Sequence, residues 1–275
     1  MIRSHPATSF GYPHMAENHY IYIYTSQMKK LLILLIISIL SSYSGSAGNL
    51  GALFSYKTFY SPETGSYLEA YLSVNANTVV FNKGDNGKYS GSIQIIYSFS
   101  KDGNVVYSDK YNLLSQEVDS ATGSNFNFLD QKRVQLANGT YLMELQIKDN
   151  NDPESKPYSA RQNVVLEYYN NIAAVSDIEL LESYKRSSDT SSPLYKNGFE
   201  IVPFADNFYP SDKEELRFYA EIYNTPKVLG ESPYLVSYFI RNADTKVVMS
   251  SYSAFKKQEP RDVNILIGEF PIKAL

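Results

Sequence analysis

From Leu53 onward the chain alternates apolar and polar residues with a period of two, in short runs closed by turn residues. Successive side chains of a strand point to opposite faces, so this period describes a strand with one covered face. A helix would repeat its apolar positions every three to four residues instead. Leu68, Ala70, Leu72 and Val74 fall on one face, with Tyr67, Glu69, Tyr71 and Ser73 on the other. Ile93, Ile95, Tyr97 and Phe99 alternate with Ser92, Gln94, Ile96 and Ser98. Lys101-Asp102-Gly103-Asn104 predicts a tight hairpin, because Asp-Gly supplies the positive φ that such turns require, and residues 105–111 return. Tyr141, Met143, Leu145 and Ile147 form another inward face, and Val164, Leu166 and Tyr168 close the set. With residues 53–59 and 126–136 this makes seven strands over about a hundred residues, the layout of an immunoglobulin-like sandwich.

Leu136-Ala137-Asn138-Gly139-Thr140-Tyr141-Leu142-Met143 places a tyrosine after a glycine turn and two residues before an inward apolar position. That is the arrangement of a tyrosine corner, in which the hydroxyl ties back to upstream backbone. Tyr141 is therefore the expected structural tyrosine.

The pattern then recurs. Leu68-Glu69-Ala70-Tyr71-Leu72-Ser73-Val74 matches Leu216-Arg217-Phe218-Tyr219-Ala220-Glu221-Ile222 in phase. Ile93-x-Ile95-x-Tyr97-x-Phe99 matches Tyr234-x-Val236-x-Tyr238-x-Ile240, and Val105-Val106 matches Val247-Val248. The second copy runs through residues 265–272, which correspond to the stretch ending near Leu136 in the first. The expected fold is all-β, with tandem immunoglobulin/fibronectin-like β-sandwich domains at residues 50–170 and 174–275. The second is incomplete, lacking its last two strands, as in a fragment of a longer protein. Residues 187–192 (SSDTSS) read as a polar loop.

Ahead of these domains, Met28-Lys29-Lys30 precedes the apolar run 31–40 and the small polar run 41–48. That order is a secretory signal peptide, with cleavage after Ala47 or Gly48. The apolar stretch is too short for a membrane span, which needs roughly 20 residues. Residues 1–27 read as a spurious or disordered leader, and residues 28–47 as the signal peptide. The expected location is outside the cytoplasm: periplasm, outer-membrane surface or extracellular space, with no permanent membrane span.

Composition then excludes chemistry. The chain has no cysteine and no tryptophan, and its three histidines (His5, His14, His19) precede the signal peptide. The mature chain thus has no imidazole base, no thiolate nucleophile and no Cys/His zinc set. The 25 basic and 29 acidic residues become 22 and 28 once Arg3, Lys29, Lys30 and Glu17 are removed. An acidic chain without a clustered basic footprint is not built for nucleic acid. Asp149-Asn150-Asn151-Asp152 is oxygen-rich enough for a hard cation, but reads more simply as turn geometry. Glu214, Glu215 and Glu221 suggest paired carboxylates, yet Glu215, Arg217, Tyr219 and Glu221 share the outward face of one strand, the ordinary solvent side of a sandwich. No catalytic, cofactor-binding or metal residues are expected.

Asn197-Gly198-Phe199-Glu200-Ile201-Val202-Pro203, Leu216-Arg217-Phe218-Tyr219-Ala220-Glu221-Ile222-Tyr223-Asn224 and Phe54-Ser55-Tyr56-x-x-Phe59-Tyr60, with Tyr67-Leu68-Glu69, together resemble the N-terminal region of GWxTD-domain proteins of Bacteroidetes. The resemblance covers most of residues 53–275. The Trp that names the family is absent, so the GWxTD domain itself is not in this sequence. The resemblance implies an exported envelope protein without a defined activity.

Tyrosine is abundant, at 25 of 275 residues, as suits half-buried strand positions. The expected function is a non-catalytic, structural or protein-interaction module of the envelope, whose partner is an envelope protein or a glycan. The alternative is a carbohydrate-binding module in which Tyr71, Tyr219 and Tyr223 are exposed stacking platforms.

Overall fold

A computed structural model describes residues 50–121, 125–205, 209 and 213–273. The leader (1–27) and signal peptide (28–47) lie outside the described residues. No described helix is long and apolar enough to cross a membrane. The molecule is an all-β structure of antiparallel sheets, and Gly48–Leu275 forms one compact unit.

In the first half, β1 (Ala52–Ser61), β2 (Gly65–Asn75) and β6 (Asn127–Gln135) form one sheet in the order β1-β2-β6. The facing sheet holds β3 (Phe81–Lys83), β4 (Tyr89–Lys101), β5 (Asn104–Leu114), β7 (Gly139–Asp149) and β8 (Tyr158–Leu166). Here β5 lies along one edge of β4, while β3 pairs with residues 89–91 on the other edge, along which β7 and then β8 continue. All seven expected strands are present, and the short β3 is an addition. The alternation holds where it was read: Leu68, Ala70, Leu72, Ile93, Ile95, Tyr97 and Phe99 meet between the sheets with Met143, Leu145, Val164 and Leu166. Asp102 and Gly103 both take positive φ (51° and 79°) between paired Lys101 and Asn104, the two-residue turn that Asp-Gly predicts.

The second half repeats this order. Strands β9 (Ala174–Val175), β10 (Glu179–Arg186), β11 (Tyr195–Lys196), β12 (Phe199–Pro203), β13 (Glu215–Tyr223) and β16 (Val263–Pro271) form one sheet. Its order is β11-β12-β10-β13-β16, with β9 also on β13. β13 pairs with β16 as β2 pairs with β6. A short helix α1 (Thr225–Leu229) leads to β14 (Tyr234–Arg241) and β15 (Val248–Gln258), a two-stranded sheet that corresponds to β4 and β5. Phe218, Ala220, Tyr252, Leu266 and Phe270 form the small core between the layers. Where β7 and β8 continue from β4 in the first sandwich, no strand continues from β14 among the described residues.

Gly268 makes that small core close. A Cβ at Gly268 would collide with the Phe218 ring and stand 2.9 Å from Cε2 of Tyr238.

Candidate functional site

The polar face of β2 does not meet water. Glu69 and Tyr71 are buried, and so are Tyr219, Glu221 and Tyr223 on β13. These faces meet across the seam between the two sandwiches, with Phe59, Leu181, Ile201 and Tyr219 as its apolar part. This corrects two expectations. Tyr71, Tyr219 and Tyr223 are at most 1 % exposed and offer no stacking platform. The outward face of β13 is solvent-facing only at Glu215 and Arg217, since Tyr219 and Glu221 are covered by the rest of the chain. A period of two shows which residues share a face, but not whether a second sheet covers it.

At the centre of the seam is Lys196, itself buried. It is delivered by the β11–β12 hairpin, whose turn is Asn197-Gly198 with positive φ at both residues (48° and 86°). Its Nζ donates to Glu69 Oε2 at 2.6 Å and to Glu179 Oε2 at 2.8 Å. It also lies 3.4 Å from the centre of the Phe59 ring, a cation–π contact. Glu69 comes from the first sandwich, while Lys196 and Glu179 come from the second. On the other side, Arg133 Nε of β6 donates to Glu69 Oε1 at 2.5 Å, and its guanidinium also reaches the Tyr195 carbonyl at 2.8 Å. The hydroxyl of Tyr71 donates to Glu69 Oε2 at 2.5 Å.

Glu221 forms a second node. Tyr219 and Tyr223 donate to its two carboxylate oxygens at 2.6 and 2.7 Å, and Asn197 Nδ2 donates at 2.8 Å. The Tyr223 hydroxyl accepts from the Tyr60 backbone N–H at 3.0 Å, which again joins the two sandwiches. Tyr60, Tyr168 and Tyr223 pack their rings together there, edge-on at 5.5 Å for two of the pairs. Below them, Thr58 donates from its N–H and its hydroxyl to Asp177 Oδ2, at 2.7 and 2.8 Å.

Three buried carboxylates thus share one buried ammonium and one half-buried guanidinium. Burial acts against charge on every one of them. For Glu69 that penalty is outweighed by Lys196 and Arg133, and its carboxyl is held below the usual range. Burial pushes Glu179 up, with the Glu69 charge adding to it, and burial also pushes Glu221 up. Burial opposes the charge of Lys196, but Glu69, Glu179 and Glu221 together hold its pKa above the usual lysine value. The tyrosine hydroxyls around the cluster are pushed up by burial first and by the neighbouring carboxylates second, so they stay protonated and donate to those carboxylates.

Clefts of about 530 and 390 Å³ flank the seam, the first over Tyr60, Asn138 and Tyr168, the second over Tyr67, Arg133 and Asn197. The carboxylates themselves point at lysine, arginine, tyrosine and asparagine donors.

Tyr141 stands apart from this site. Its hydroxyl donates to the Ala137 carbonyl at 2.8 Å, two residues upstream of Gly139, and its ring is buried. The corner that the sequence describes is present. Asp149 accepts from the N–H groups of Val80 and Asn151 at 2.7 and 2.8 Å, so the Asp-Asn-Asn-Asp run is occupied with turn geometry. Among the described residues no group of acidic or histidine side chains could hold a metal ion. Asp119 and Ser120 lie on the exposed connection after β5.

Comparison with protein-family models, with curated proteins and with solved structures finds no match.

Proposed function

We propose that this protein is a non-catalytic, exported envelope component whose two sandwiches, immunoglobulin-like in strand order, are locked into one rigid body by the buried Glu69–Lys196–Glu179 link. The link carries this reading. A flexible tether between two independent sandwiches leaves their facing surfaces wet and their charges solvated. Here a carboxylate of one sandwich shares a dry ammonium with a carboxylate of the other. Such an arrangement is costly to open, because each separated charge must be left buried or be rehydrated. Rigid spacing or docking of other components is the role that such a body suits. The export signal at residues 28–47 and the resemblance to the N-terminal region of GWxTD-domain proteins support an envelope location. The burial of Tyr71, Tyr219 and Tyr223 counts against a glycan-binding role built on them.

The test is the tumbling of the two halves by amide relaxation. One shared rotational correlation time for residues 52–166 and 174–271 is expected. Two distinct times in the wild-type chain would sink the proposal.

A further inference from the structure

The cleft of about 530 Å³ lies where the end of the first sandwich meets the connector at residues 168–171. Its size falls within the roughly 300–1,000 Å³ of small-ligand sites. Its walls are polar but uncharged: among the described residues, none that lines it is an aspartate, glutamate, lysine or arginine. Two of its amides are anchored at one end and free at the other. Gln135 Nε2 donates to the carbonyls of Thr64 and Ser66 at 2.6 and 2.8 Å, and its Oε1 accepts from no described residue. Asn170 Oδ1 accepts from the Tyr60 hydroxyl, and its Nδ2 donates to no described residue. The exposed Asn171 side chain has no partner among the described residues. Asn138 fixes the floor, since its side-chain amide accepts from the Tyr168 N–H at 3.1 Å and donates to the Tyr168 carbonyl at 2.6 Å. Tyr169, also at the wall, is half-exposed.

We propose that this cleft binds a neutral glycan. The lining selects that class by its hydrogen-bonding capacity. Sugar hydroxyls both donate and accept, so they match a free amide oxygen, a free amide nitrogen and a whole free amide together. The C–H face of a sugar ring is apolar enough to lie on a phenol ring, which Tyr169 supplies. An anion or a cation entering the cleft would lose water without meeting an opposite charge. A peptide is held by apolar anchors in pockets, and the aliphatic side chains at this wall are Leu136, which is buried, and Ala137. Anchoring one end of each amide also reduces the side-chain freedom that a ligand must freeze out. Thr64 and Gln135 border the 390 Å³ cleft as well, so a chain of sugar units can pass from one cleft into the other. The cations that line the second cleft, Arg133 and Lys196, are already paired with Glu69. The site goes beyond the rigid-body reading and does not rest on it, because every residue lining the 530 Å³ cleft belongs to the first sandwich or to the connector.

The probes are neutral oligosaccharides of glucose, galactose, mannose and N-acetylglucosamine, with an oligogalacturonate as the charged control, each titrated into the isotope-labelled full chain. Side-chain amide resonances report the site directly. Those of Asn170 and Asn171 should shift saturably with at least one neutral probe, and the oligogalacturonate should bind no more tightly. Tyr169→Ala and Asn171→Ala should each weaken that binding by roughly three- to tenfold, the worth of one lost contact. Both side chains are exposed, so the urea midpoint of either variant should match that of the wild-type chain, which separates lost binding from lost folding. The proposal is overturned by an absence of saturable shifts with every neutral probe, or by tighter binding of the oligogalacturonate. Equal affinity in the Tyr169→Ala/Asn171→Ala double variant overturns it too, because the glycan would then sit elsewhere. None of these readings depends on whether the two halves tumble together, so their failure is distinct from a failure of the seam.

Discussion

Lys196→Met is the perturbation that weighs the seam. Methionine keeps an unbranched apolar stem of similar length and removes the charge. Two charge-assisted hydrogen bonds disappear, at 2.6 Å to Glu69 and at 2.8 Å to Glu179. The two carboxylates do not suffer equally. Glu69 keeps Arg133 and Tyr71. Glu179, only 2 % exposed, is left as a buried acid without its cation. Removing one partner of a buried pair costs about 3–5 kcal/mol, a large part of the roughly 5–15 kcal/mol that holds a typical domain.

Urea unfolding followed by circular dichroism measures this, since the chain has no tryptophan to report by fluorescence. The diagnostic arm is the second substitution. Glu179→Gln alone should destabilise, but added to Lys196→Met it should recover stability, because it removes the stranded carboxylate. A coupling of about 0.5–3 kcal/mol is the range for groups in direct contact. A cost below about 1 kcal/mol for Lys196→Met is the size seen for exposed pairs; with no coupling to Glu179, it would show that the link is solvated and refute the argument.

Three further outcomes follow from the same geometry. Tyr141→Phe should destabilise the first sandwich by about 0.5–1.5 kcal/mol, the usual worth of a lost hydrogen bond; an unchanged urea midpoint would argue against the corner. Gly268→Ala should cost about 1–3 kcal/mol by overpacking against Phe218, read as a lower midpoint, and Phe218→Leu in the same chain should return part of it. The pH dependence has a definite sign: Glu179 and Glu221 have raised folded pKa values, so their contribution is fully present below the ordinary 4.5 and is lost as pH rises through the raised values. Glu69 is depressed, so its contribution holds above 4.5 and is lost only at lower pH. Glu179→Gln with Glu221→Gln should therefore flatten the decline in stability above pH 4.5, and parallel wild-type and variant curves would contradict the assignment.

The strands were legible because their information is local. Alternation at 68–74, 93–99 and 141–147 sets the faces, and Asp102-Gly103 sets a turn, all within a few residues of one another. The corner at Tyr141 is local in the same sense, since its acceptor is Ala137. The seam was not legible, because alternation treats any polar-ended face as wet. Tyr71, Tyr219, Glu221 and Tyr223 fitted that assumption, and only the arrival of another sheet makes them buried. A signal did exist. Glu69-x-Tyr71 and Tyr219-x-Glu221-x-Tyr223 each put a carboxylate beside a phenol on one strand face, where the hydroxyl can satisfy the acid without water. Asn197-Gly198 between Lys196 and Phe199 was a hairpin signal as direct as Asp102-Gly103.

The repeat also accounts for the composition of the seam. Tyr71 on β2 and Tyr219 on β13 are equivalent positions, and each donates to a carboxylate two residues away, Glu69 in one copy and Glu221 in the other. The phenols of the junction thus come from equivalent positions, whereas its acids do not, since Glu69 aligns with Arg217 and Glu221 with Ser73. Like charges in a dry place repel, and the shared strands supply a counter-ion only to Glu69, through Arg133 of β6. The buried cation, Lys196, comes from what the copies do not share. In the first half β1 turns directly into β2 through residues 62–64, whereas in the second half β11 and β12 intervene between β10 and β13. That added hairpin carries Lys196 to the centre of the seam. Its insertion converts a repulsive contact between two similar faces into a specific one, which is why Lys196, rather than any of the tyrosines, decides whether the two halves hold together.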